Sequence, residues 1–264
     1  MGDYLQHVLY CLKCGRRSVA NELSILATGQ LRNPKFDAPY TSRDAPEIRI
    51  ANGWNEWNTP RTYWVGPIKR FESEPSTFLT HSGTYSQKQH QRYALSRGGV
   101  MQKITVTPGK WYRFACWVWV YCSTRDDNVS AGGDLHARVG INPWGAWPDH
   151  YASIPGKECD KYDPAEGYDK WVQIEVIAPA FGNEITVFTE ALSQHTVSHN
   201  DVYWDDASFG EVDLGDAPPP VEPPDPPPVG ECGFVDRWQE VLDNQAEILQ
   251  ELMRVPKKGY TVTL

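Results

Sequence analysis

The sequence is short of basic residues and of long apolar runs. Its 264 residues include 25 Lys and Arg against 34 Asp and Glu, for a formal net charge of -9. Binding to nucleic acid needs a basic footprint that neutralises phosphates, so the composition argues against that partner. No stretch approaches the roughly 18 apolar residues that a membrane span requires. The sequence therefore predicts neither a nucleic-acid-binding protein nor a membrane-spanning one.

Cysteine is too sparse for the disulfide framework of a small secreted domain. Cys116 and Cys122 fall on one face of one predicted strand, too far apart to bridge each other, and we expect both to be buried free thiols. His7, Cys11 and Cys14 have the spacing H-x3-C-x2-C, which is part of a zinc site. A fourth ligand would have to come from Cys232 or another subunit. Unligated thiols are the preferred interpretation.

Motifs of catalysis are missing too. The chain has no G-x-S-x-G, no H-E-x-x-H and no phosphate-binding glycine loop. Carboxylates could pair across a concave face as acid and base, but no spacing singles out a pair among Glu56, Asp134, Glu175 and Glu190. His195 and His199, in HTVSH, are interpreted as parts of an exposed loop. We expect a protein that is not an enzyme, with no catalytic residues.

Two runs of period two, joined by a Pro-Gly turn, occupy Gly99–Cys122 and predict a β-hairpin. Both faces of the second run are apolar or aromatic. We therefore expect it to be the central strand of a two-sheet sandwich, with one face in the core and the other lining a concave surface or covered by loops. The core-facing set is Tyr112, Phe114, Cys116, Val118, Val120 and Cys122, and the opposite set is Arg113, Ala115, Trp117, Trp119 and Tyr121.

The same β-like pattern extends over residues 29–213, where short runs of β-branched and aromatic residues alternate with turn residues. Such regular short strands predict an all-β, two-sheet jelly-roll β-sandwich. The predicted strands are about 47–51, 62–70, 77–80, 90–96, 99–107, 111–122, 135–141, 170–178, 184–192 and 201–210.

An N-terminal arm, residues 1–28, precedes this domain. Its apolar residues fall on one helical face, which fits packing on a neighbour or folding onto its own domain. Gln6 and His7 interrupt its apolar part, so we expect it to be a poor secretory signal, and Gln6 also argues against myristoylation.

A Pro-rich linker, residues 214–231, follows the domain. Its stretch 214–230 carries eight prolines, which favour an extended polyproline spacer. Beyond it, residues 232–264 contain a predicted helix with 4-3 apolar spacing over 234–255. A helix on such a spacer has no domain of its own to cover its apolar stripe. Self-association into a short coiled coil is therefore the preferred interpretation, with docking onto the sandwich as the alternative.

Six segments occur in a set order along the chain: QLRNPKFD at 30–37, GVMQ at 99–102, TPGKWYRF at 107–114, RVGINP at 138–143, WVQ at 171–173 and NDVYWDD at 200–206. Over about residues 30–210 these segments resemble jelly-roll carbohydrate-binding modules of the family 4/9 type. The resemblance implies a non-catalytic two-sheet jelly roll that grips glycans with aromatics and often holds one structural calcium. The implied calcium ligands are Asp37 and Asp206, with Asp205 as the other candidate.

Glycan sites combine exposed aromatics, which stack on the C–H faces of sugars, with polar groups that bind hydroxyls. The first candidate place is the loop with Trp144, Trp147 and Tyr151, beside Asp149 and His150; loop anchoring and subunit contact are its alternatives. The second is 52–64, with Trp54 and Trp57, for which hydrophobic plugs at the end of the sandwich are preferred. The third is the non-core face of the central strand, with Trp117, Trp119 and Tyr121.

Together these features favour an oligomeric, non-catalytic display protein of a virion or surface appendage, of the decoration or fibre type, that presents a glycan-binding-like jelly roll outward. The alternative is a cell-derived carbohydrate-binding module that attaches to polysaccharide without an assembly role. Expected partners are a glycan surface, a second copy through residues 234–255, and an assembly partner for the arm. We expect it on a virion or extracellular surface.

Overall fold

The computed structural model of the chain describes residues 31–43, 45–59, 65–127, 129–148, 153–159 and 167–213. Within these ranges all regular structure is β-strand, and no helix is long and apolar enough to cross a membrane. The predicted arm with its zinc motif, the linker and the C-terminal helix lie outside the described residues. The strands are β1 Tyr40–Ser42, β2 Arg49–Ala51, β3 Asn55–Asn58, β4 Arg70–Glu74, β5 Ser86–Gln91, β6 Ser96–Thr105, β7 Trp111–Ser123, β8 Leu135–Asn142, β9 Ile154–Cys159, β10 Val172–Pro179, β11 Glu184–Ser193 and β12 His199–Val212.

Two five-stranded antiparallel sheets form the sandwich. Sheet I has the order β10-β7-β12-β5-β4, sheet II has the order β3-β6-β11-β8-β9, and β1 and β2 form a small separate ribbon. The prediction of an all-β two-sheet sandwich is confirmed. The strand β7 is an interior strand, but the middle position of sheet I belongs to β12, which corrects the expectation that β7 is central.

The core between the sheets is built from alternate residues of the long strands. The six residues of β7 predicted to face inward all lie in it, and Phe114, Cys116, Val118, Val120 and Cys122 are fully buried. Period two along a strand sends alternate side chains to opposite faces, so an alternation of aromatic and β-branched residues suffices to predict this face. Cys116 and Cys122 are both buried, as expected, and burial raises the pKa of the Cys116 thiol.

The predicted hairpin of 99–107 with 111–122 is wrong. The first of these strands, β6, belongs to sheet II, whereas β7 belongs to sheet I. The Pro-Gly turn crosses between the sheets, and the 180–183 turn holds it: Gly109 N–H donates to the Ala180 carbonyl (2.8 Å) and Ala180 N–H donates to the Lys110 carbonyl (2.9 Å). Gly109 has φ +79°, which glycine adopts without strain. A turn signal therefore marked the reversal without identifying the strand pairs.

The strand predicted at 77–80 is wrong, and the one predicted at 90–96 is right only at its ends, which fall in β5 and β6. Of the strand predicted at 62–70, residues 65–69 lie outside the named strands, and 62–64 lie outside the described residues. Residues 75–85 form a loop, and the strand before Tyr93 is β5, a polar segment with the sequence SQKQHQ. Gln87 and Gln89 face the core and are 0% and 1% exposed. They replace apolar packing with hydrogen bonds: Trp204 Nε1–H donates to Gln89 Oε1 at 2.9 Å, and Ala51 N–H donates to Gln87 Oε1 at 2.9 Å.

Candidate functional site

The outer face of sheet I, on the side away from the core, carries a patch of aromatic residues. Trp117, Trp119 and Tyr121 of β7 alternate with the core residues and lie on this face, as predicted. Tyr203 of β12 is the register partner of Trp119, and Trp171 packs edge-on against Trp119 with ring centroids 6.1 Å apart. We call these five residues the aromatic face.

A loop of residues 75–85, between β4 and β5, lies over the aromatic face; we call it the strap. The imidazole of His81 stacks on Trp117 with centroids 4.0 Å apart, and Phe78 meets Trp119 edge-on at 4.8 Å. Trp119 is consequently only 9% exposed. Trp117 and Trp171 are half-buried and Phe78 is 63% exposed. The surface open to a ligand is therefore the border of Trp117, Trp171 and Phe78.

Two consecutive aspartates of β12 fasten the strap. A register shift between Asp205 and Ser208, with Asp206 at φ +44°, aims both carboxylates at the same loop. Asp205 Oδ2 accepts the N–H groups of His81 (2.8 Å) and Ser82 (3.0 Å). Asp206 Oδ2 lies 2.6 Å from His81 Nδ1, and Asp206 Oδ1 accepts the Ser82 hydroxyl at 2.7 Å.

Asp37 holds the end of the strap from the other side, because its Oδ1 accepts the N–H groups of Thr84 (2.9 Å) and Tyr85 (3.1 Å). The three residues implied as calcium ligands are thus brought to one loop. Calcium takes about six to eight oxygen ligands, and within the described ranges no group of three or more acidic, His or Cys side chains is arranged to hold a metal ion. As arranged here, Asp37, Asp205 and Asp206 fit a loop anchor rather than a calcium cage. The calcium ion stays a prediction from the resemblance.

Asp205 is fully buried, and this has an electrostatic consequence. Burial raises the pKa of Asp205 to about 6, and the N–H groups of Ser82, Asp206 and His81 only partly oppose it. The anchor therefore contains a carboxyl group that titrates close to neutral pH.

Polar side chains continue the same face across β5, β12 and β4. Asp201 is the register partner of both Tyr121 and His90, and Lys88 is the partner of Tyr203 and Glu72. Lys88 Nζ lies 3.5 Å from Asp201 Oδ2 and 5.3 Å from the centroid of the Tyr203 ring. The outer face of sheet I thus has an aromatic end and a polar end, which is the pairing of surfaces that a sugar requires.

The loop with Trp144 and Trp147 lies elsewhere, after β8. The Trp144 ring packs at a tilt of 33° against Phe181 with centroids 4.6 Å apart, and Asn142 Oδ1 accepts the N–H groups of Trp144 and Ala146. Trp147 is 45% exposed. Trp144 therefore anchors the loop, whereas Trp147 offers open surface. Asp149, His150 and Tyr151 lie outside the described residues.

Trp54 and Trp57 are corrected from glycan ligands to core residues. Each is 1% exposed. Trp54 stacks on Phe36 and donates its indole N–H to the Asn33 carbonyl (2.9 Å), and Trp57 donates to the Thr189 carbonyl (2.8 Å). Their N–H groups are satisfied inside the protein, so neither ring presents a surface to a ligand. This agrees with the preferred interpretation of both residues as hydrophobic plugs.

The four carboxylates considered for acid-base catalysis each lie beside a basic side chain rather than beside another carboxylate. Glu190, 1% exposed, is held by Arg97 and Arg138 at 2.9 and 2.7 Å. The other pairs are Arg43–Glu56 at 3.4 Å, Arg113–Glu175 at 2.5 Å and His136–Asp134 at 3.4 Å.

Sequence reasoning missed several residues of this face. Phe78 fell in the strand predicted at 77–80 and His81 directly after it, and His199, interpreted as part of an exposed loop, begins β12 and is 8% exposed. Lys88 and His90 lie on β5, whose alternation of buried glutamines with these outward residues was the available signal.

Comparison with solved structures gives carbohydrate-binding modules. A family 61 module in complex with β-1,4-galactotriose has a TM-score of 0.44 at 11% identity, covering 70% of this chain and 99% of the module. The CBM22-1 xylan-binding domain of Paenibacillus barcinonensis Xyn10C has a TM-score of 0.42 at 14% identity, covering 73% of this chain and 97% of that domain. A family 4 module has a TM-score of 0.35 at 10% identity, covering 69% of this chain and 99% of the module. The chain is similar to carbohydrate-binding modules, as the resemblance predicted. No protein-family model and no curated protein matches it.

Proposed function

We propose that this chain is a non-catalytic glycan-binding module whose ligand lies on the outer face of sheet I. One observation carries the proposal: the half-buried indoles of Trp117 and Trp171 border a row of polar side chains on the same sheet face. Flat aromatic rings can stack on the apolar faces of sugar rings, while Lys88 and Asp201 supply a donor and an acceptor for hydroxyls. The exposed Phe78 extends the aromatic border from the strap.

Replacing Trp117 with alanine tests the position of this site. We expect glycan affinity to fall roughly tenfold or more, because a ring that stacks with the ligand is lost. The measurement is isothermal titration with neutral β-1,4-linked hexasaccharides of glucose, galactose, mannose and xylose. The matched variant is Trp147→Ala, which removes the exposed indole of the competing loop. Loss of affinity in Trp147→Ala with full affinity in Trp117→Ala would move the site to residues 143–148.

We further propose that the module is displayed in several copies on a virion or surface appendage. The support is in the sequence: the eight prolines of 214–230 make a stiff spacer, and the 4-3 spacing of 234–255 suits a coiled coil. Joining weak sites in one assembly raises their effective concentration and hence their avidity. The alternative is a cell-derived module that attaches to polysaccharide as a single copy.

Truncation separates these two roles. Multi-angle light scattering of the intact chain is expected to give a multiple of 29.9 kDa, and a chain ending at residue 231 is expected to be a monomer. A monomeric intact chain would contradict multivalent display while leaving glycan binding by the sandwich intact.

A further inference from the structure

Three buried polar atoms at the polar end of sheet I have no hydrogen-bond partner among the described residues. They are His90 Nε2, His199 Nδ1 and Asp201 Oδ1. Their residues are 8%, 8% and 5% exposed. His90 is the register partner of Asp201 on the neighbouring strand, and His199 lies two residues before Asp201 and so on the same face. We call these three residues the polar recess.

An unpartnered polar atom in the interior costs about 1 to 3 kcal/mol, and such atoms usually mark a place for water or for a ligand. The nearest groups do not satisfy these three atoms. Glu72 Oε2 lies 3.5 Å from His90 Nε2, and His199 Nδ1 lies 3.7 Å from Asp201 Oδ2. Two imidazole nitrogens and one carboxylate oxygen of the recess are therefore available to bond with a ligand.

The side chains around the recess can move to admit a ligand. Asp126 lies 2.5 Å from His199 Nε2, but the Asp126 side chain is 88% exposed, so it is held by little else. Glu72 is partly exposed, with a side-chain exposure of 39%, and Lys88 has a flexible stem. Only the floor, made by the recess residues themselves, is fixed by the strands.

Charge decides which ligand suits the recess. Three carboxylates, those of Glu72, Asp126 and Asp201, outnumber two cationic side chains at this end of the face. The cations are Lys88 and Arg70, the register partner of His90. An acidic group would therefore meet net repulsion. Burial lowers the pKa of His90, and this outweighs the opposing effect of the Asp201 carboxylate, so His90 favours the neutral form. A neutral imidazole and a carboxylate match a hydroxyl, which donates to one and accepts from the other.

We propose that the polar recess binds neighbouring hydroxyls at one end of a neutral oligosaccharide, and that the other end of this oligosaccharide lies on Trp117. This rests on the proposed function. Trp117 and Tyr121, the residue beside Asp201, are four positions apart on β7, which is about 13 Å along a strand. A single sugar ring cannot reach both ends. The ligand class is therefore a neutral oligosaccharide, and acidic saccharides are excluded.

Isothermal titration of the intact chain tests the recess with the neutral hexasaccharides named above, their monosaccharides and hexagalacturonate. Asp201→Asn keeps the shape but replaces an acceptor oxygen by a donor, and His90→Gln keeps a polar group in another geometry. Each variant is expected to bind the best hexasaccharide roughly tenfold more weakly. The matched control is Glu175→Gln, on the same sheet face but paired with Arg113, and its affinity is expected to be unchanged.

Thermal melting of each variant separates lost contacts from lost folding. Asp201→Asn and His90→Gln are expected to melt close to the unaltered chain, because each variant keeps a polar side chain that can still bond to the facing Lys88 or Glu72. Unchanged affinity in both variants, with affinity lost in Trp117→Ala, would overturn the recess and keep the proposed function. Tighter binding of hexagalacturonate than of every neutral probe would also overturn the recess. No binding of any saccharide by the unaltered chain would overturn the proposed function itself.

Discussion

Replacing Asp205 with alanine is expected to lower the free energy of unfolding by about 3 kcal/mol and to expose Trp117 to water. The substitution leaves the N–H groups of His81, Ser82 and Asp206 without their acceptor. Each of these donors is part-buried, so leaving it unsatisfied costs toward the lower end of about 1 to 3 kcal/mol, and water entering a loosened strap recovers part of the loss. Denaturant unfolding gives the free energy, and a red shift of tryptophan fluorescence at low denaturant reports release of the strap.

The control for this substitution is Asp127→Ala. Asp127 is exposed and contacts only neighbouring residues of its own turn, so its removal is expected to change stability by less than about 0.5 kcal/mol. All measurements are made with and without EDTA. Equal melting temperatures for the unaltered chain under both conditions would count against calcium at Asp37, Asp205 and Asp206. An Asp205→Ala variant as stable as the control would show that the strap is held by its ring contacts alone.

The raised pKa of Asp205 gives this anchor a pH dependence of known sign. The folded state holds the proton up to pH about 6, whereas the unfolded chain releases it near its ordinary value of 3.8. The stability that the proton contributes is therefore complete below pH 3.8 and is lost as the pH rises through about 6. Compared with Asp205→Asn, which does not titrate, the unaltered chain is expected to gain stability as the pH falls from about 7.5 to about 4.5. A gain in the opposite direction would mean that the N–H groups lower this pKa.

Part of the fold could be predicted because one strand carries a strong local signal. The alternation in β7 separates the core set from the outward set, and no long-range information is needed to see it. The strand with which another strand pairs cannot be predicted from such a local signal. Gly109 sits in a turn that fits a hairpin, but its N–H bonds to Ala180, so the choice between hairpin and crossing depends on a distant turn.

The aromatic half of the proposed site was singled out from the sequence and its polar half was not, for a related reason. Trp117 and Trp119 stand out because they lie on the face of β7 turned away from the core between the sheets. His90 and Asp201 carry no such signal, since they become neighbours only through the register of β5 and β12. Trp54 and Trp57 lie in a polar, turn-rich stretch that suited either a glycan site or the preferred interpretation as hydrophobic plugs. Their indole N–H groups are satisfied by carbonyls of distant residues, which fits the plugs.

Substitution of Gln87 by leucine is expected to destabilise the sandwich by about 3 kcal/mol, although it makes the core more apolar. Gln87 is 0% exposed, and its side-chain amide bonds the backbones of β2 and β4. Its Oε1 accepts the N–H of Ala51, and its Nε2 donates to the carbonyls of Arg49 (3.2 Å) and Glu72 (3.1 Å). Leucine has a similar size but leaves these groups unsatisfied, and the penalty for buried orphan groups exceeds the gain from a buried apolar side chain.

The matched control lies on the same strand. Gln91→Leu changes a half-buried glutamine whose Oε1 accepts the N–H of Lys69 (3.2 Å) at the exposed end of β5, where water can replace it. Its effect is expected to stay below about 0.5 kcal/mol. Denaturant unfolding of both variants decides the matter. A Gln87→Leu variant more stable than the unaltered chain would mean that the buried amide is tolerated rather than required, and that β5 is held in sheet I by its strand pairing alone.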